Sequence, residues 1–145
     1  MTERIENVPG GTHPIFITHN PARVIVRVEG QVIADSKEAL TLLEANYPAV
    51  QYIPRKDVDM SLLAKSSRTT RCPYKGIANY YGIHIGGPRS NDAAWSYEEP
   101  YAAVADIKGY MAFYPDRVDS IAELEETDIG EAVAVPPART LIAEG

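Results

Sequence analysis

From Arg23 to Glu29, Val24, Val26 and Val28 alternate with Arg23, Arg27 and Glu29. That period of two predicts a strand with one buried face, Ile25 being the apolar exception on the other. Ile15–Ile17 predicts a shorter strand, stopped by Asn20-Pro21. Glu29-Gly30 suits a two-residue hairpin turn into Gln31–Asp35, which would set Val26 opposite Ile33. Ile77–Ile85 is the longest alternating run: Ile77, Tyr81, Ile83 and Ile85 share a face with Asn79, and Ala78, Tyr80, Gly82 and His84 take the other. Gly86-Gly87-Pro88 turns the chain before Ala93, Trp95 and Tyr97 alternate with Ala94 and Ser96. Val50–Ile53 and Gly109–Tyr114 read as further short strands. One segment has helical spacing. Asp35-Ser36-Lys37-Glu38 reads as a capping box, Ala39, Leu42 and Leu43 follow it, and Asn46 and Pro48 close a helix over about 36–46. A helical turn is predicted at Asp57–Leu63 and a short helix over Tyr101–Ile107, after Pro100. Short strands, dense turn signals and one short helix together predict a mainly β, antiparallel domain.

Composition narrows this little. The 145 residues suit one domain, and 45% apolar with 23% charged residues is an ordinary globular mix. No apolar run approaches the roughly 18 residues of a membrane span. The N-terminal residues carry no apolar signal core, and one cysteine forms no internal disulfide, so the expected location is cytoplasmic. Charge adds more. Of the net −6, residues 121–145 hold −5, from Glu123, Glu125, Glu126, Asp128, Glu131 and Glu144 against Arg139. We expect a lead-in over 1–12, a domain over 13–118, and an acidic appendage over 119–145 that drapes over the core or a partner subunit, a homodimer being one such assembly. An acidic chain without a basic stripe is a poor nucleic-acid binder. Arg68, Arg71 and Lys75 form at most a patch for a small anion.

The candidate chemistry is sparse. One cysteine and three scattered histidines, His13, His19 and His84, give no metal-ligand spacing, so no metal and no cofactor is expected. Cys72 reads either as a nucleophile whose thiolate is favoured by Arg71 and Lys75, or as a small buried apolar residue in a turn. Ser66, Ser67 and Ser96 lie in no nucleophile-elbow context. Nine aromatics, Tyr74 through Tyr114, crowd one stretch, which is either an aromatic-lined pocket or ordinary half-buried strand surface. Arg55, Asp57, Lys75, Asn79 and Asp92 are its candidate polar groups. Alternation puts Tyr80 and Tyr81 on opposite faces, so both cannot line one pocket.

The segments HP (13–14), NPARVIV (20–26), ADS (34–36), YIPRKDV (52–58), TTRCPYKG (69–76), NDAAWSY (91–97) and GYMAFYPDRV (109–118) resemble a small bacterial and fungal family, domain of unknown function 427, also labelled a nucleotidyltransferase-type domain. The resemblance implies a β-tent, similar to the Mss4-like group, in which two antiparallel sheets lean together around a cleft. Zinc-bearing relatives in that group use two cysteine pairs. This chain has none, so its tent would be closed by packing. The family-typical positions carried over are Arg55, Asp57, Thr70, Cys72, Pro73, Tyr74, Lys75, Gly76, Trp95, Tyr97, Tyr114, Asp116 and Arg117. Small-molecule binding is the expected function, with Tyr74, Trp95 and Tyr97 lining the cleft and Lys75 or Arg55 meeting an anionic or polar group. The alternatives are an enzyme using Cys72, with Lys75 beside it, as nucleophile or redox centre; nucleotidyl transfer, for which no phosphate loop is found; and a structural or interaction module.

Overall fold

The computed structural model describes residues 3–6 and 13–125. Among these residues eleven strands form three antiparallel sheets: β1 (Glu3–Glu6), β2 (Ile15–His19), β3 (Arg23–Val28), β4 (Gln31–Ser36), β5 (Leu40–Glu44), β6 (Val50–Tyr52), β7 (Leu63–Cys72), β8 (Gly76–Ile83), β9 (Ala94–Ser96), β10 (Ala112–Phe113) and β11 (Ser120–Leu124). The first sheet has the order β1-β2-β5-β6, the middle sheet β10-β9-β8-β7, and the third β11-β3-β4. The mainly β, antiparallel class read from the sequence is therefore the observed one, with a third small sheet beside the expected two. Among the described residues the helical segments are short 3-10 turns, at Arg55–Asp57, Met60–Leu62, His84–Ser90, Ala102–Ile107 and Pro115–Arg117.

The middle sheet is buried on both faces, and alternation sorts its residues. Tyr80 and Ala112 join Ile15, Ile17, Leu42 and Tyr52 of the first sheet in a tyrosine-rich cluster, with Trp95 packed against it. Their strand neighbours Tyr81, Ala94 and Phe113 join Val24, Val26, Val28 and Ile33 of the third sheet in a valine-rich cluster. Tyr80 and Tyr81 thus face opposite cores, as their period requires. An isolated bridge between Ile53 and Met111 links the edge of the first sheet to the β10 edge of the middle one.

The β3–β4 hairpin forms with Glu29 and Gly30 both at positive φ, 52° and 76°, as its two-residue turn demands. A bulge after Val26 shifts the register, so Val26 faces Ala34 rather than Ile33, which becomes the unpaired extra residue. The expected helix over 36–46 is not there. Leu40–Glu44 is β5, hydrogen-bonded on one side to β2 and on the other to β6. Leu42 is 1% exposed and Leu43 46%, the opposite-facing neighbours of a strand. Two flanking strands outweigh the helix propensity of Ala, Leu and Glu. The supposed capping serine instead makes a turn: Ser36 Oγ donates to Asp57 and accepts from the Glu38 amide.

The longest strand is β7, ten residues long, which hydrophobic pattern did not predict. It is an edge strand, largely exposed, and residues 66–68 bulge out where Lys65 pairs with Tyr81 and Thr69 with Asn79. The packed structure also runs past Val118: β11 pairs with Arg23–Arg27 of β3. The rest of the expected appendage, 126–145, and most of the expected lead-in lie outside the described residues. No described helix is long and apolar enough to cross a membrane.

Candidate functional site

The β7–β8 hairpin closes through Pro73, Tyr74 and Lys75. Gly76 follows at φ 114°, where a Cβ would lie 3.5 Å from the Glu99 carbonyl oxygen and the Pro100 Cα. Glycine is what this geometry accepts. The turn drives Lys75 inward. Its side chain is 8% exposed, its ammonium donates to Glu44 of β5, and its Nζ lies 5.7 Å from the centre of the Tyr97 ring. Glu44 also bonds His13 Nε2 at 2.6 Å, and the His13 ring stacks on Tyr74 with centroids 3.8 Å apart. A buried cation, one carboxylate and an imidazole therefore close the edge of the tyrosine cluster. Burial raises the Glu44 pKa, but hydrogen bonds from Lys75 and His13 outweigh it and hold the carboxyl below its usual range.

Trp95 packs, half-buried, against the same cluster. Its Nε1 donates to the Tyr52 hydroxyl at 3.2 Å, its ring meets Tyr52 edge-on, and Tyr114 packs against it at 4.5 Å. Burial raises the Tyr52 and Tyr97 pKa values far above the ordinary phenol and pushes Tyr114 up to about 12, so these rings stay neutral. Trp95, Phe113 and Tyr114 give aromatic surface to a groove of about 710 Å³. Tyr47–Gln51 of the first sheet and Asp119–Glu123 around β11 form its sides. A second cavity of about 520 Å³, lined by Lys65, Ser66, His84, Asn91 and Asp92 among others, opens near the β7 bulge.

The residues expected to line one cleft are divided between two faces of the middle sheet. Tyr74, Lys75, Trp95 and Tyr97 all adjoin the tyrosine cluster. Arg55 is on the other side. It donates to the Gly109 carbonyl at 2.9 Å, Tyr81 Oη at 3.3 Å, Ser96 Oγ at 3.1 Å and Glu98 at 3.4 Å. It does not line the groove with Trp95, and its partner Ser96 projects to the opposite side of β9 from Trp95. Of the four residues near the tyrosine cluster, only Trp95 lines the 710 Å³ groove. Cys72, half-buried at the end of β7, packs with the same cluster. Its neighbour Arg71 turns outward to the Tyr101 hydroxyl at 3.3 Å. Asp57 is bonded to Ser36 and Lys56, and Arg68 covers the Tyr80 ring at 4.6 Å. Among the described residues no three His, Cys, Asp or Glu side chains converge to hold a metal.

Two carboxylates matter here that the sequence did not single out. Glu44 meets Lys75 and His13, each 31 residues away. Glu98 accepts from Tyr81 and bonds Lys65 Nζ at 2.9 Å. Burial raises the Glu98 pKa, yet Tyr81 and Lys65 hold it low, and the hydrogen bond from Arg23 does the same for Asp35. Such groups stabilise the fold above their unfolded pKa values, near 4.5 for Glu and 3.8 for Asp, and give that up as pH falls through the lower folded values. Stability measured by urea unfolding should be level from pH 7 to about 5 and fall steadily below about 4.5. A midpoint unchanged at pH 3 would show that these contacts contribute nothing.

A family model, NTP_transf_9, described as a domain of unknown function (DUF427), matches residues 16–124. No curated protein matches the chain.

Proposed function

This chain belongs to the DUF427 family, and from that premise and the geometry above we propose that it binds a small, largely apolar or aromatic molecule in the groove beside Trp95 and Tyr114. The groove itself carries the proposal. Its volume, about 710 Å³, lies within the roughly 300–1,000 Å³ of ligand sites, and aromatic surface is combined with a few polar groups, Gln51, Asp119, Ser120 and Glu123. Among the described residues no lysine or arginine lines it, and Lys75 and Arg55 are both held by carboxylates elsewhere. Among the described residues its charged groups are Asp119 and Glu123, so a neutral or cationic ligand fits better than the anion expected from the sequence.

The two four-stranded sheets, linked at Ile53–Met111 and closed over the tyrosine cluster, suit a tent whose cleft this groove extends. Cys72 as a nucleophile gains no support from its surroundings, since its strand partner is Gly76 and its side chain packs with aromatic residues. A cytoplasmic setting suits a free, half-buried thiol.

Trp95 is the only tryptophan, so its fluorescence reports on the groove directly. Benzyl alcohol and benzylamine should quench or shift it saturably, and phenylacetate should act at least tenfold more weakly. Ala49, exposed at the groove wall, offers a block that leaves the core intact. Ala49→Phe should abolish the response without changing the melting temperature. Saturation unaffected by that block, or no response to any of the three, would refute the site.

A further inference from the structure

Two arginines differ from their fellows. Arg23, Arg55 and Arg89 each pair with a carboxylate. Among the described residues Arg68 and Arg117 pair with none. The Arg68 guanidinium lies over the Tyr80 ring at 4.6 Å, and that of Arg117 over the Tyr114 ring at 6.0 Å. Burial and the Tyr80 hydroxyl raise the Tyr114 pKa, and Arg68 and Arg117 both act to lower it, so the two cations converge on one neutral phenol. Stacking on a ring occupies the flat face of a guanidinium and leaves its in-plane N–H donors available. Arg117 gives one of them to the Asn91 carbonyl at 2.8 Å. The Arg68 side chain gives none to a described residue. Two like charges brought together repel unless an anion joins them, and guanidiniums match the oxygen spacing of a phosphoryl group.

The anion patch expected from Arg68, Arg71 and Lys75 is not assembled. Lys75 is buried against Glu44, and Arg71 turns to the Tyr101 hydroxyl. Arg117, from a distant part of the chain, takes their place beside Arg68.

The 520 Å³ cavity adjoins this pair. Arg68 belongs to the β7 bulge, where its amide donates to Ser66 Oγ at 3.2 Å, and Arg117 holds Asn91. Ser66 and Asn91 both line the cavity, together with Lys65, His84 and Asp92. Among the described residues the His84 and Asp92 side chains make no hydrogen bond or ion pair, and the Ser66 hydroxyl only accepts. A cavity of ligand size whose polar groups are left to bond something else suits a molecule rich in hydroxyls.

We propose that this cavity takes a small phosphate ester with a hydroxylated body, its phosphoryl group between Arg68 and Arg117 and its hydroxyls against Ser66, His84, Asn91 and Asp92. This is independent of the groove, which neither arginine lines.

Nuclear magnetic resonance of the full-length protein at constant ionic strength tests it, through backbone amide and arginine Nε–H signals. Ribose 5-phosphate should move the Nε signals of Arg68 and Arg117 and the amides of Ser66, Asn91 and Asp92 saturably, while the Nε signals of Arg23 and Arg89 stay in place. Inorganic phosphate should move the two arginines alone and bind about tenfold more weakly. Arg68→Gln removes charge-assisted donors and should weaken both about tenfold. Ala64, exposed on β7, lines the cavity, and Ala64→Phe should bring the ester down to the level of phosphate while leaving phosphate binding unchanged. Ala49→Phe, which blocks the groove, should leave every one of these responses intact, so the two sites stand or fall separately. Shifts that grow linearly with phosphate and are shared by Arg23 and Arg89 would show screening alone and overturn the site. Equal affinity for the ester and for phosphate would overturn the part assigned to the cavity.

Discussion

Glu44→Ala is expected to destabilise the fold by about 3–5 kcal/mol, the usual result of leaving one member of a buried ion pair alone. Lys75 is 8% exposed and its ammonium points at Glu44 from beneath Tyr97. Without the carboxylate the charge stays in the tyrosine cluster with only a ring face, worth roughly 1–2 kcal/mol, and a histidine nearby. Neither replaces a charge-assisted hydrogen bond. At roughly 2–4 °C per kcal/mol for a chain of this size, the melting temperature should fall by on the order of 10 °C. Lys75→Met should cost less than half as much, because it fills the space with an apolar chain and leaves Glu44, 14% exposed, its bond to His13. The combined Glu44→Gln, Lys75→Met variant should then be more stable than Glu44→Ala alone. Chemical denaturation of the three variants decides the matter. A loss under about 1 kcal/mol for Glu44→Ala would mean that water reaches Lys75 and that the pair is energetically a surface one.

The second large effect is expected at Gly86, in the turn between β8 and β9. A Cβ there would meet Ser90 Oγ at 1.9 Å, Ser90 Cβ at 2.4 Å and Val28 Cγ1 at 3.2 Å. Ser90 is 1% exposed and its hydroxyl donates to the Arg117 carbonyl at 2.8 Å, so it cannot step aside without breaking that tie between two turns. Overpacking of this kind costs about 1–3 kcal/mol, and losing the hydrogen bond adds roughly 1 kcal/mol. Gly86→Ala should therefore lose about 2–4 kcal/mol. Ser90→Gly removes the obstacle and, although destabilising itself, should lose little more when Gly86→Ala is added. A coupling of at least about 1 kcal/mol between the two is the expected signature. Strict additivity would place the strain somewhere other than this contact.

What could be read beforehand follows from how local each signal is. The β3–β4 hairpin was legible because its period and its Glu29-Gly30 turn both lie within a dozen residues. Its register was not, because the bulge at Ile33 is set by the fit of the strand against the valine-rich cluster. Leu40–Glu44 was misread as helix for a related reason: its residues favour helix, and the strands that hold it extended come from other parts of the chain. β7 was invisible because an edge strand exposed on both sides has no apolar alternation to show. The crowding of aromatics around Trp95 was plain in the sequence, and so was the opposition of Tyr80 and Tyr81. Glu44, Glu98 and the role of His13 were not, since each is defined by a partner roughly thirty residues away. Arg55 was grouped with Lys75 by residue type and by the family resemblance, and the two faces of the middle sheet separate them.

The third sheet also dictates when the protein can finish folding. Asn20 donates to Glu123 across a separation of 103 residues, and β11 completes the sheet that β3 and β4 begin. A ribosome adding roughly 5–20 residues per second takes on the order of 5–20 s to cover that distance. Throughout that interval the nascent chain carries β3 with one open edge and Ile25 uncovered by β11. Long-range antiparallel pairing is slow to close in any case, because loop entropy opposes it until the last contacts form. A chain interrupted shortly before residue 120 would be held in this half-finished form, with the open edge of the valine-rich β3 available to its neighbours on the same message.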